Sequence, residues 1–114
     1  MGARQQYYFS IDDFTAARGD DAELSFDGRS PEALAAAVQE ALRTPGLFER
    51  WRDRQKRPDE VDAALAPVDP QATAHAAQAD LHVDLKVVTD LPMHVLRQRL
   101  GLLIGNHWAL RDVR

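Results

Sequence analysis

The chain has 114 residues, 45% of them hydrophobic and 28% charged, which predicts one globular domain over residues 1–114 with a core of its own. The absence of cysteine excludes disulfides and thiolate chemistry, and without an apolar run near 20 residues or a signal peptide we expect a cytoplasmic protein that makes no membrane contact. A formal net charge of −4 argues against general nucleic-acid binding.

Two short strands are predicted before the first helix. Apolar and polar residues alternate from Gln6 to Asp12, the two-residue period of a strand that is buried on one face. Leu24 and Phe26 flank a serine in a second segment, 22–27, and Gly19 lies in the turn between the two segments. We expect these strands to form a hairpin.

The helices that follow are marked by their caps. Ser30 at the N-cap with Pro31 at the first position predicts a helix that ends near Arg43. Thr44 and the proline after it predict the start of a second, shorter helix, which ends before Pro58. Residues 58–78 are rich in proline and alanine and are predicted to connect the two halves of the domain, with short helices possible at 60–66 and 71–78.

The clearest strand pattern lies in residues 79–88, where apolar and polar residues alternate strictly. The pattern places Leu81, Val83 and Leu85 toward the core. The polar residues, among them Lys86, are placed on the solvent side. We therefore predict one unbroken strand.

The C-terminal segment allows two interpretations. Pro92 in a first turn and apolar residues at three- and four-residue steps favour one amphipathic helix over 91–113, with His107 on its apolar side and His94 exposed. In that helix Gly101 and Gly105 would lie on one side and would permit close approach of another backbone. In the alternative, the helix ends at residue 100 and residues 105–106 turn a hairpin.

These elements predict an α+β domain in the order β-β-α-α-β-α, with a small antiparallel or mixed sheet and helices packed on one face. The open edges of so small a sheet invite pairing with another strand.

A metal-binding or small enzyme domain is one alternative function. Asp80, His82 and Asp84 lie at two-residue steps on one face of the predicted strand and carry ligand types suited to a divalent ion. The same residues are also typical of the solvent side of any half-buried strand. Alternate residues of a strand are roughly 6.5–7 Å apart, which is too far for three of them to bind one ion.

A basic run between Arg50 and Arg57, with one tryptophan, predicts a phosphate-contacting helix or, alternatively, a solvated helix face with Trp51 packed on the core. The acidic total argues against nucleic acid as a partner.

The sequence carries no phosphate loop, nucleophile elbow or zinc-protease motif, and it implies no cofactor. We therefore expect a non-enzymatic protein that acts by protein–protein contact, as a homodimer or an adaptor. The predicted interaction surface comprises apolar and glycine residues of the C-terminal segment: Gly101, Leu102, Gly105, Trp108 and Val113.

Overall fold

The computed structural model describes residues 4–114, and within that range the chain forms four strands and three α-helices. In chain order they are β1 (Gln5–Asp12), α1 (Pro31–Arg43), α2 (Gly46–Asp53), β2 (Thr73–Ala79), β3 (His82–Thr89), α3 (Met93–Ile104) and β4 (Ala109–Val113). The strands lie side by side as β2-β3-β1-β4, and every neighbouring pair is antiparallel. The predicted α+β class with a small sheet is confirmed, and the connectivity is the split β-α-β arrangement called ferredoxin-like, with α2 added after α1.

Helix α1 begins where its capping residues predict. The hydroxyl of Ser30 accepts a hydrogen bond from the backbone N–H of Ala33 at 3.1 Å, and Pro31 occupies the first turn. Leu34, Val38 and Leu42 recur at four-residue steps and are buried, so this stripe packs against the sheet and α3.

The predicted strand over residues 22–27 is wrong, because that segment is a turn followed by irregular chain. Leu24 and Phe26 are buried, but their partner is the end of α3 and not another strand. The backbone N–H of Phe26 donates to the carbonyl oxygen of Leu103 at 2.9 Å, and the hydroxyl of Ser25 donates to the same oxygen at 3.2 Å. The segment therefore satisfies a carbonyl that the end of α3 leaves without a partner.

The predicted unbroken strand over residues 79–88 is also wrong at its start. A two-residue turn at Asp80 and Leu81 separates β2 from β3, and Asp80 adopts the left-handed region with φ of 53°. Leu81, predicted to face the core, is 94% exposed at the tip of this hairpin. Aspartate tolerates a left-handed turn position better than most residues, so the strand is interrupted at Asp80 although the alternation of the sequence continues.

Residues 73–79 form strand β2, so the helix allowed for 71–78 is wrong. Four of these seven residues are alanine, and alanine alone gives no alternation for a pattern to detect. The strand forms because each of its residues pairs with β3 across the hairpin.

The C-terminal segment combines parts of both interpretations. Helix α3 continues through Gly101 and ends at Ile104, and Gly105 follows with φ of 65°, a conformation that favours glycine. The chain then returns as β4, which pairs with β1. One continuous helix to residue 113 is therefore wrong, and His107 lies in the loop before β4, half-buried. His94 is exposed, as predicted.

The hydrophobic core lies between one face of the sheet and helices α1 and α3. Phe9, Val83 and Leu85 supply the sheet side, and Val38 and Leu96 face them from the helices. None of the helices within residues 4–114 is long and apolar enough to cross a bilayer.

Candidate functional site

Within residues 4–114, no further element covers the outer edge of β2 or the face of the sheet opposite the helices. Both follow from the strand order, because β2 and β4 are the edge strands and both main helices pack on one side. Each part presents groups that are able to bind a partner.

In β2, the backbone N–H and C=O groups of every second residue point away from β3. The backbone N–H of Ala74 donates to the side-chain oxygen of Gln39 in α1 at 3.2 Å, so Ala74 does not bond to β3 through that group. Hydrogen-bonded and non-hydrogen-bonded pairs alternate along an antiparallel ladder, so Ala76 and Gln78 also face outward. Within residues 4–114 no group accepts from or donates to the outward backbone atoms of Ala76 and Gln78.

Apart from the contact of Gln39 with Ala74, the edge of β2 carries none of the usual protections against pairing. Strand β2 contains no proline and no charged residue apart from His75, which carries charge only when protonated. By contrast, β4 carries Arg111 and Asp112, and the carboxylate of Asp112 accepts from the outer backbone N–H of Val113 at 2.9 Å. The two edges are therefore unequal, and the β2 edge is the one open to another strand.

A shallow groove of about 370 Å³ runs beside this edge, between β2 and α1. Its walls are mostly small side chains, which allow a further chain to approach closely, and it is lined by Glu32, Ala35, Ala36, Gln39, Ala74, His75 and Ala76. Gln39 closes the N-terminal part of the edge through its bond to Ala74, so the outward groups of Ala76 and Gln78 mark the accessible part.

The uncovered face carries the side chains that alternate with the core residues. Adjacent strands place His75, Lys86 and Tyr8 in one row across the sheet. The next row contains Ala77, Asp84 and Ser10. A cavity of about 430 Å³ lies over these rows, where small residues sit between longer polar ones.

The predicted metal ligands are only partly brought together. His82 and Asp84 lie on this face of β3, with Nε2 and Oδ1 2.9 Å apart, whereas Asp80 lies in the hairpin turn. Among residues 4–114, no group of three His, Asp or Glu side chains is arranged to hold a metal ion.

The predicted interaction surface is divided among several environments. Leu102 and Trp108 pack partly against the core, and Trp108 meets Phe9 edge to face with ring centroids 5.5 Å apart. Val113 is 41% exposed on β4. A Cβ added to Gly101 would meet no atom within 4 Å, so in the described chain no neighbouring backbone requires a glycine at this position.

The basic run after residue 49 is largely engaged by carboxylates. Arg54 pairs with Asp21 and with Glu23, the latter at 2.8 Å, which ties α2 to the acidic loop. Arg52 and Arg57 also pair with neighbouring acids. These contacts leave less positive charge available for phosphate than the sequence suggests.

The β2 edge was missed in the sequence because its strand was missed. The one local signal was Asp80, a turn-forming residue in the middle of an alternating pattern. No protein-family model, curated protein or solved structure matches the chain, so the geometry of the sheet is the basis for a functional proposal.

Proposed function

We propose that the protein acts by protein–protein contact and that a second copy of the chain adds its β2 strand to the β2 edge. The observation that carries this proposal is the set of outward backbone groups on Ala76 and Gln78, on an edge that has no protecting charge or proline. Two four-stranded sheets would thereby join into one sheet of eight strands across a two-fold axis.

A two-fold axis that passes beside Ala77 would place the outward backbone groups of two β2 strands opposite each other. If two β2 strands run antiparallel with Ala77 opposite Ala77 of the second copy, Ala76 of each faces Gln78 of the other. Every outward N–H and C=O of the two residues then finds a partner, which gives four new hydrogen bonds. This self-complementarity is the property that a two-fold interface requires, so a second copy of the chain is able to supply the partner strand.

Side chains also permit this register. Ala77 lies on the uncovered face, and a methyl group suits the close spacing of directly opposed residues in a non-hydrogen-bonded pair, about 4.5 Å between Cα atoms. His75 falls opposite Ala79 of the second copy, so no like charges oppose each other.

A cysteine cross-link tests the register directly, because the natural chain has no cysteine. In the Ala77→Cys variant the two thiols lie within disulfide range across the axis. We expect mild oxidation to convert most of the protein to a covalent dimer at micromolar concentration.

Ala79→Cys is the matched control, on the same strand and face. In the proposed register its two copies are four residues apart along the strands, about 13 Å, which is too far for a disulfide. Equal cross-linking of both variants, or none at residue 77, would contradict the proposed pairing.

Ala76→Pro gives an independent test that leaves the fold in place. The lost N–H points away from β3, a position where an edge strand tolerates proline. Light scattering after size-exclusion chromatography should show a dimer for the natural chain and at least about tenfold weaker association for the variant, since the dimer loses two hydrogen bonds. A natural chain that stays monomeric at all concentrations overturns the proposal.

A further inference from the structure

The strongest feature apart from the β2 edge is the arrangement of cations over the uncovered face of the sheet. The cavity of about 430 Å³ on this face is lined by Tyr8, His75, Asp84, Lys86 and Arg111 together with neighbouring small and core residues. Among the lining residues, Lys86 and Arg111 are cations and Asp84 is an anion, so the lining is weakly positive in a chain whose net charge is −4.

A β-bulge places Arg111 over this face. Tyr8 pairs with Asp112 and Phe9 pairs with Leu110, which leaves Arg111 as the extra residue of β4. Bulges commonly redirect a side chain in this way. The Nε of Arg111 donates to the hydroxyl of Ser10 at 2.8 Å, and Ser10 is itself buried.

This anchor leaves the fork of the guanidinium available. Within residues 4–114, neither terminal nitrogen of Arg111 has a hydrogen-bond acceptor, and no carboxylate pairs with it. A guanidinium that is held by Nε and open at both terminal nitrogens has the geometry for bidentate recognition of an oxyanion.

Lys86 supplies a second cation next to Tyr8. Its Nζ lies 5.8 Å from the centre of the Tyr8 ring, and Arg114 lies over the same ring at 5.0 Å. Arg114 is paired with Asp112 at 2.7 Å, but no carboxylate in the described part of the chain pairs with Lys86.

Two acids lie near these cations, and only Asp112 is paired with an arginine. Asp84 lies 2.9 Å from His82, and Asp112 is occupied by Arg114. Lys86 and Arg111 are thus two cations without an ion-pair partner in the described chain, beside a cavity that also carries the charge of Asp84. The balance at the cavity is positive and favours an oxyanion such as a phosphate monoester.

We propose that this face binds a small phosphate monoester, with the phosphate held by the guanidinium fork of Arg111 and the ammonium of Lys86. Ser10 is a positioning residue, because it orients Arg111 and does not reach the ligand. Ala76 and Ala77, which lie at the proposed strand pairing, also line this cavity, so a second copy would border the ligand. Both contacts to the phosphate come from β3 and β4 of one chain and do not require the second copy.

Ribose 5-phosphate, with ribose as the uncharged control, tests this site in a two-dimensional NMR titration of the full chain. Two charge-assisted contacts correspond to a dissociation constant on the order of 1 mM. We expect the phosphate ester to shift the amide signals of residues 8, 10, 86 and 111, and ribose to leave them unchanged. Absence of saturable shifts at these residues overturns the proposal.

Variants separate a built site from general attraction of anions. Arg111→Gln and Lys86→Gln should each weaken binding about tenfold or more, whereas Arg50→Gln, at an exposed cation of α2, should not. Ser10→Ala should weaken binding less than Arg111→Gln does. Ser10→Thr, which keeps the hydroxyl, should bind the phosphate ester as the natural chain does. Equal weakening by Arg50→Gln would mean an adventitious ion only, and unchanged binding in Arg111→Gln would exclude the site.

Discussion

The guanidinium of Arg99 donates to the carbonyl oxygen of Ala41 at 2.9 Å, from a side chain that is only 1% exposed. Its other terminal nitrogen donates to the carbonyl oxygens of Leu65 and Pro67 at 2.6 and 3.2 Å. Burial lowers the pKa of Arg99, but the carbonyls at the end of α1 carry the negative end of the helix dipole and favour the charged form. One buried cation therefore joins α3, the end of α1 and the connecting segment.

Replacing Arg99 should destabilise the protein strongly. In Arg99→Met the apolar volume is largely kept, but three buried or half-buried carbonyls lose their donor, so we expect a loss of about 3 kcal/mol or more in the free energy of unfolding. Urea denaturation measures it. Arg97→Met, on the exposed side of the same helix, is the control and should change stability by no more than about 0.5 kcal/mol. Similar values for the two variants would contradict the role of Arg99.

Asp69 should make stability depend on pH in the acid range. Burial raises the pKa of this carboxyl, but hydrogen bonds from Arg4, Thr89 and the backbone of Gln71 outweigh burial and lower the pKa from 3.8 to about 2. Because the folded state binds the proton less readily than the unfolded state, Asp69 contributes about 2 kcal/mol above pH 4, which is lost as the pH falls toward 2.

Asp69→Asn tests this dependence. Unfolding free energies measured between pH 5 and pH 2 should fall less steeply in the variant than in the natural chain. Asp59→Asn, at an exposed residue, should leave the slope unchanged. A slope that is equally steep in Asp69→Asn would mean that other carboxyls cause the acid sensitivity.

Leu85 and Leu81 form a matched pair for the β2–β3 hairpin. Leu85 is 1% exposed, and Leu85→Ala should cost about 2–5 kcal/mol because it opens a cavity against the helices. Leu81, at the hairpin tip, should tolerate alanine within about 0.5 kcal/mol. Thermal unfolding of both variants checks the turn at residues 80–81, since an unbroken strand would make the two losses similar.

Two glycines near the end of α3 should respond in opposite directions. A Cβ at Gly101 meets open space within the described chain, so Gly101→Ala should stabilise the helix by about 0.5–1 kcal/mol. A Cβ at Gly19 would overlap the carbonyl oxygen of Leu102, so Gly19→Ala should destabilise by about 1–3 kcal/mol. Chemical denaturation of the two variants decides whether close backbone approach occurs at residue 19 rather than at residue 101.

Local signals in the sequence were sufficient for some elements of the fold. The cap at Ser30 located α1, and the alternation around Phe9 located β1, because both depend on neighbours in sequence. Strand β2 was not predictable in this way. Its alanines are neutral in pattern, and it forms only because the chain from residue 82 onward folds back on it.

The candidate sites depend still more on tertiary structure. Arg111 and Ser10 are about a hundred residues apart, and only the pairing of β4 with β1, together with a bulge, brings them into contact. The outward groups of Ala76 belong to the backbone, which has no residue signature at all. Sequence reasoning did indicate that an open sheet edge would exist, but it did not identify which edge.

Strand β1 lies at the centre of the sheet, although both of its partners come much later in the chain. On a ribosome, β1 would emerge about 70 residues before β3, an interval of roughly 4 to 15 s at ordinary rates of translation. Its Tyr-Tyr-Phe segment would remain unpaired and apolar throughout that interval. The nascent chain is therefore the state of this protein most exposed to aggregation, and the state in which a chaperone has the most to protect.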